Sequence, residues 1–250
     1  MFQYVLFDLD GTLTDPKEGI TKCVQYALKA FGIEEENLDN LECFIGPPLR
    51  DSFMQYYGFT PKQAEKAIEV YRERFRTVGL FENQVYEGIP QLLKACKEAG
   101  MFLAIASSKP TIFVKRILEH FALDSYFDVI VGAELDGSRE KKEDIVEEAL
   151  RQTAILDLKK NEKQTYQEYC EKDISPYSEN LKQEIKLCQI FNNQNCAMVG
   201  DRKFDVEGAR QFQVYALAVG YGYAKGSELE DAGADKIVNT VKELQEFLMQ

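Results

Sequence analysis

Short apolar runs alternate along this chain with stretches whose apolar residues recur at helical spacing. Tyr4-Val5-Leu6-Phe7, Met101 to Ala106, Phe127 to Val131, Cys196 to Val199 and Val214 to Val219 are nearly all apolar, and Lys236-Ile237-Val238 is a shorter sixth run. Most close in a glycine or a polar turn, as buried strands do. Between the first two runs the period changes. Ile20, Cys23, Val24, Ala27, Leu28 and Phe31 lie on one helical face that Gly32 ends. A segment near Leu41 is broken by Gly46-Pro47-Pro48, another runs from Leu49 or Arg50 to Gly58, and Thr60-Pro61 opens a helix to about Phe75. Further helices are predicted over 90–99, 111–120 and Lys141 to Arg151. Strands buried on both faces and alternating with helices predict an α/β fold with a parallel sheet. The pattern divides into a core over residues 1–15 and 83–250 and an all-helical insert over 16–82. Residues 152–194 break the rhythm. This charged, tyrosine-containing stretch is read as a polar insertion of two surface helices, the second capped by Ser178.

Ligands of parallel sheets bind beyond the carboxyl ends of the strands, and the chemistry-bearing residues of this sequence collect there. Asp8 and Asp10 follow the first strand, where alternate side chains share a face, and Gly11 then turns the chain. Two carboxylates a few ångströms apart repel by about 4 kcal/mol at an effective dielectric of 20. A hard divalent cation offsets that repulsion, which points to a Mg²⁺ site beside a carboxylate nucleophile. A calcium loop is excluded, because the twelfth position from Asp8 is Gly19 rather than a bidentate glutamate. Gly200-Asp201 after another strand brings a third carboxylate to the same edge, and Asp205 lies one helical turn on, placed for a metal-bound water or a lysine partner. Ser107 after the second run offers a hydroxyl to an anion beside a helix start. Lys141 and Lys142 open a helix, and one of them supplies a cation.

Composition narrows the partners. Of 250 residues, 42 are acidic and 30 basic, a formal charge of −12, which argues against nucleic acid as the main partner. The six cysteines form no C-x-x-C pair and the chain has one histidine, so a structural zinc site is not expected. With no secretory leader pattern and no uncharged apolar run near 20 residues, a cytoplasmic protein without a membrane contact is expected.

Taken together, Asp8-Leu9-Asp10-Gly11-Thr12, Ser107, Lys142 (or Lys141) and Gly200-Asp201 with Asp205 resemble, in order, the four motifs of the haloacid dehalogenase superfamily. The helical insert after the first motif is similar to that family's C1 cap. Phe44 to Leu49 and Gly220-Tyr221-Gly222 look most like its phosphoglycolate-phosphatase and 5′-nucleotidase branch. The resemblance implies a Rossmann-like core under a helical cap and a Mg²⁺-dependent phosphomonoesterase acting on a small phosphorylated metabolite. It implies that Asp8 attacks phosphorus, that Asp10 serves as acid and base, and that Asp8, the Asp10 backbone and Asp201 hold the metal. Ser107 and Lys142 then fix the phosphoryl oxygens, supported by Asp205 and Lys141. Gly11, Thr12, Ser108 and Lys109 surround the substrate, and Arg50 reaches it from the cap, which moves on hinges near Asp15-Pro16 and Glu82 to Gly88. A monomer or weak homodimer is expected. The alternatives are a phosphosugar mutase using the same aspartyl-phosphate and a non-catalytic phospho-acceptor module.

Overall fold

In the computed structural model, which describes residues 1–161, 191–192 and 194–250, the apolar runs form one six-stranded parallel sheet. Its strands are β1 (Tyr4–Phe7), β4 (Phe102–Pro110), β5 (Val129–Ala133), β6 (Cys196–Gly200), β7 (Tyr215–Val219) and β8 (Lys236–Val238), in the spatial order β5-β4-β1-β6-β7-β8. β1 is central, and Phe7 sits in register with Ile105 on one side and Val199 on the other. Alternation along β1 sends Val5 and Phe7 to one face and Tyr4 and Leu6 to the other, each into its own apolar cluster. Burying a side chain of this size is worth about 1.5–3 kcal/mol, so the two faces hold the sheet from both sides. Helix α4 (Ile89–Glu98), α5 (Thr111–His120) and the C-terminal α9 (Val241–Leu248) cover the Val5 face. The face of Leu6 is covered by α6 (Lys142–Asn161) and α7 (Lys203–Gln211). A short helix α8 (Glu228–Asp231) precedes β8.

Between β1 and α4 the chain is helical, as its period predicts. It runs through α1 (Lys17–Ala30), a 3₁₀ turn (Leu38–Phe44), α2 (Leu49–Tyr57), α3 (Pro61–Arg74) and a π turn (Phe75–Gly79). Helix α3 starts where Thr60 and Gln63 cap one another and Pro61 occupies the first turn. The two passages between sheet and helices run side by side as an antiparallel ribbon, β2 (Thr14–Asp15) against β3 (Gln84–Val85). Strands of two residues carry no readable period, so this ribbon was not expected.

Three boundaries differ from the sequence reading. β5 begins two residues late, because Asp128 uses its carboxylate to accept from the Leu103 N–H and to hold Lys97. β4 continues to Pro110, with a register irregularity between Ser107 and Pro110. Helix α6 runs to Asn161, ten residues past Arg151, with Ala154 and Ile155 still buried. The reading of two surface helices capped by Ser178 otherwise lies outside the described residues. Phe191 returns the chain to the fold, edge-on to the ring of Tyr4.

Candidate active site

β1 ends with its hydrogen-bonding intact: the Asp8 N–H still donates to the Val199 carbonyl of β6 at 2.9 Å. That fixes Asp8 at the sheet edge beside the end of β6, where Asp201 follows. Oxygens of Asp8, Asp201 and Asp205 lie within 4.8 Å of one another, and all three residues are buried. Lys142 reaches into the cluster from the first turn of α6. Its Nζ lies 3.0 Å from Asp8 Oδ1 and 2.6 Å from Asp205 Oδ1, and donates to the Ala106 carbonyl of β4 at 2.8 Å. One ammonium thus ties together β1, β4 and the start of α7. Lys141 is exposed, so of the two adjacent lysines Lys142 is the one the helix turns inward, and Asp205 has the lysine partner.

Asp10 faces a different cation. Its Oδ2 is 2.6 Å from Lys109 Nζ, which also lies 4.8 Å from the centre of the Phe75 ring. Asp10 Oδ1 is buried with no hydrogen-bond partner. Ser107 is buried at the same strand end, its Oγ accepting a long bond from the Lys109 N–H at 3.4 Å, and Ser108 lines the adjoining cavity. Thr12 Oγ1 lies 3.4 Å from Asp201 Oδ1.

Two glycines permit the close approach to Asp201. Gly11 has φ +80, and a Cβ there would stand 2.2 Å from Asp201 Oδ2. A Cβ on Gly222 would stand 2.3 Å from Asp201 Cβ. The Gly222 loop contributes residues the sequence reading missed. The Tyr223 N–H donates to Asp201 Oδ2 at 2.7 Å, its hydroxyl to Asp15, and the Tyr221 hydroxyl to the Thr12 carbonyl at 2.9 Å. Arg202 is half-buried. Its Nε donates to Glu228 Oε1 at 2.8 Å and its Nη1 to the Ile45 carbonyl, so the residue after Asp201 grips the loop between the 3₁₀ turn and α2. Arg202→Ala is expected to lower stability by about 1–3 kcal/mol, leaving Glu228 and the carbonyl with weaker partners; urea unfolding measures it.

Electrostatics favour a cation. Burial raises the Asp10 carboxyl above its ordinary range, against the pull of Lys109. Burial, with the charges of Asp205 and Asp8, raises Asp201 well above it. Burial pushes Asp205 up to about 6 against Lys142. For Lys142, burial disfavours the charge, but the carboxylates of Asp205 and Asp8 outweigh it and hold the ammonium above its ordinary value. Four buried carboxyls (Asp8, Asp10, Asp201, Asp205) face two buried ammonium groups (Lys109, Lys142), so with all four ionised the site lacks two positive charges. An all-oxygen donor set with that deficit fits a hard divalent ion. A cavity lined by Asp8 and Asp10 opens beneath the helical segment, walled by Ile20, Phe44, Leu49, Ile68, Tyr71 and Phe75. Arg50 is at its edge, exposed, with Nη2 3.4 Å from Glu65.

This arrangement, with the motif residues gathered from strand ends and helix starts around one acidic cluster, agrees with comparison to known proteins. The model of the haloacid dehalogenase-like hydrolases matches residues 5–219. The chain belongs to that family. A 5′-nucleotidase of Pseudomonas aeruginosa is 44% identical over 225 residues, 90% of this chain and 86% of its own length. The crystal structure of a predicted phosphatase from Clostridium acetobutylicum superposes with a TM-score of 0.79 at 41% identity, covering 100% of this chain and 99% of that one. The tyrosine-protein kinase PtkA of Mycobacterium tuberculosis is 32% identical over 98% of this chain and 72% of its own. More distant relatives carry the name phosphoglycolate phosphatase. Within the family this chain is an enzyme of the phosphatase kind. No helix among the described residues is long and apolar enough to cross a membrane.

Proposed function

We propose that this enzyme is a Mg²⁺-dependent phosphomonoesterase of small phosphorylated metabolites, with nucleoside 5′-monophosphates as the favoured class. The observation that carries it is the meeting of Asp8 with Asp201, Asp205 and Lys142, beside a cavity that Asp8 and Asp10 line together with aliphatic and aromatic side chains. The likeness to a 5′-nucleotidase supports the substrate class, and the ring-lined walls suit a leaving group that carries a flat base better than a two-carbon acid.

In this reading Asp8 is the nucleophile. Its carboxylate oxygen attacks phosphorus, the bond from phosphorus to the ester oxygen breaks, and Asp10 gives its proton to the departing alkoxide. The burial-raised Asp10 suits that first role, since a larger share of it holds a proton near neutral pH. Asp10 then takes a proton from the water that attacks the phosphorylated Asp8, releasing phosphate and restoring both carboxyls. Lys142 holds Asp8 in place and, with Ser107, offers donors to the phosphoryl oxygens. Asp8, the Asp10 backbone carbonyl and Asp201 would hold Mg²⁺, which when bound screens the negative phosphoryl group from the carboxylates. The helices of residues 16–82 act as a cap that excludes water and reads the leaving group. Lys109 links the two parts, paired to Asp10 while lying over Phe75.

Phosphate release from a panel of nucleoside monophosphates, phosphoglycolate, sugar phosphates and p-nitrophenyl phosphate tests the reading. Turnover is expected with Mg²⁺ and a loss of at least about a hundredfold after chelation. Metal-independent hydrolysis, or isomerised sugar phosphate with no free phosphate, would overturn it.

A further inference from the structure

Arg72 of α3 lines the same cavity as Asp8, Asp10, Ser107 and Lys109, and among the described residues its guanidinium has no partner. The other half-buried arginines are all engaged. Arg74, Arg139, Arg151 and Arg202 each rest on a glutamate, and Arg116 donates to the Arg76 carbonyl and lies over Phe81. Arg72 alone among the half-buried arginines of the described residues has no hydrogen bond, ion pair or ring contact. Its position is costly. Burial and the nearby charge of Arg76 disfavour its guanidinium, and the field of Glu140 answers them only in part. Arg50, on the same cavity, is exposed and already has Glu65.

A guanidinium has five donors in a rigid fork and no acceptor. Whatever completes Arg72 must present acceptors, and the fork matches two of them side by side. The neighbouring walls, Ile68, Tyr71 and Phe75, suit a flat ring rather than a hydrated acid. Building on the reading of the enzyme as a nucleotide phosphatase, we propose that Arg72 recognises the base of the leaving nucleoside and selects 6-oxopurines. Their O6 and N7 form a paired-acceptor edge that the fork binds bidentately. Adenine places an amino donor where O6 would be, against a donor. Uracil and thymine offer no such adjacent pair, and cytosine sets its O2 and N3 beside an amino donor. Arg72 is thus a specificity residue that acts on the base and not on the reacting bond.

The test compares kcat/KM for IMP, AMP and p-nitrophenyl phosphate in the wild-type enzyme, Arg72→Ala and Arg72→Lys, all with Mg²⁺. The wild type is expected to prefer IMP over AMP by about tenfold or more. Arg72→Ala should reduce that preference to below about threefold, chiefly by raising KM for IMP, with a smaller loss on the other two substrates. Arg72→Lys keeps the charge but not the fork, and should lose the preference as well. Equal wild-type rates on IMP and AMP, a preference that survives in Arg72→Ala, or full retention by lysine would each overturn the assignment. So would an equal loss on all three substrates, which is the sign of a structural role. Wild-type turnover of phosphoglycolate or sugar phosphates but of no nucleotide would overturn the base assignment while leaving the phosphatase chemistry intact. Absence of turnover on every phosphomonoester, p-nitrophenyl phosphate included, would overturn both.

Discussion

Asp8→Asn is expected to abolish turnover, lowering kcat by at least about 10⁴-fold, and to leave the fold intact. An amide cannot attack phosphorus at a useful rate, and loss of a covalent nucleophile costs on this scale in other enzymes. The fold survives because little of it depends on that charge. The Asp8 N–H keeps its bond to Val199 whatever the side chain. Lys142 keeps Asp205 and the Ala106 carbonyl. Asparagine is isosteric, so the packing of Phe7 and Leu9 below it is undisturbed. Steady-state phosphate release together with thermal unfolding checks both halves. Activity above about one per cent of wild type would remove Asp8 from the nucleophile's role, and a collapsed melting curve would make the loss uninformative. In that case Asp8→Glu, which keeps the charge and moves the oxygen, separates the two: it should fold and still fail to turn over.

The same residues show which features were legible in the chain and which were not. Strand ends were legible, because a run of apolar residues buried on both faces gives way to glycine and charged groups where the strand stops; Phe7 before Asp8 and Val199 before Gly200-Asp201 mark such changes. The meeting of Asp8 with Asp201 followed from there, since parallel strands place their carboxyl ends on one edge and β1 and β6 are neighbours. Side-chain partners were not legible. Lys141 and Lys142 are chemically identical neighbours, and only the angle at which α6 starts decides which turns inward. The partners of Arg202, Glu228 and the Ile45 carbonyl, lie 26 and 157 residues away and leave no local sign in the chain. Tyr223 acts on Asp201 through its backbone N–H, a group every residue but proline has, so no side-chain pattern marks it. The long charged tail of α6 carries few apolar positions after Ile155, which hides its length from any reading of periodicity.

Asp201→Asn should make the metal-free protein more stable while removing its response to Mg²⁺. Asp201, Asp205 and Asp10 all have carboxyls raised above their ordinary range in the fold, with burial as the leading cause. A carboxyl whose pKa is higher folded than unfolded binds protons more tightly in the folded state. Its contribution therefore favours folding at low pH and is lost as pH rises from about 4, the unfolded value. For Asp205 that loss is complete somewhat above pH 6, and Asp201 loses its contribution in the same direction. The metal-free enzyme should accordingly melt at a lower temperature at pH 7.5 than at pH 6, as far as these groups decide it. Divalent metal reverses the sign, because it binds the ionised carboxylates and not the protonated ones. At a hundredfold excess over its dissociation constant it adds about 2.7 kcal/mol, or roughly 5–10 °C for a chain of this size. That gain should shrink at pH 5.5, where protons compete. In Asp201→Asn the amide oxygen still accepts from the Tyr223 N–H and the amide nitrogen faces Thr12 Oγ1, so the loop holds while one buried charge disappears. Thermal unfolding of both proteins at pH 5.5 and 7.5, with EDTA and with Mg²⁺, measures every part. A variant that melts below wild type in EDTA, or that keeps the full Mg²⁺ shift, would mean that Asp201 is a structural carboxylate and that the cation is held elsewhere.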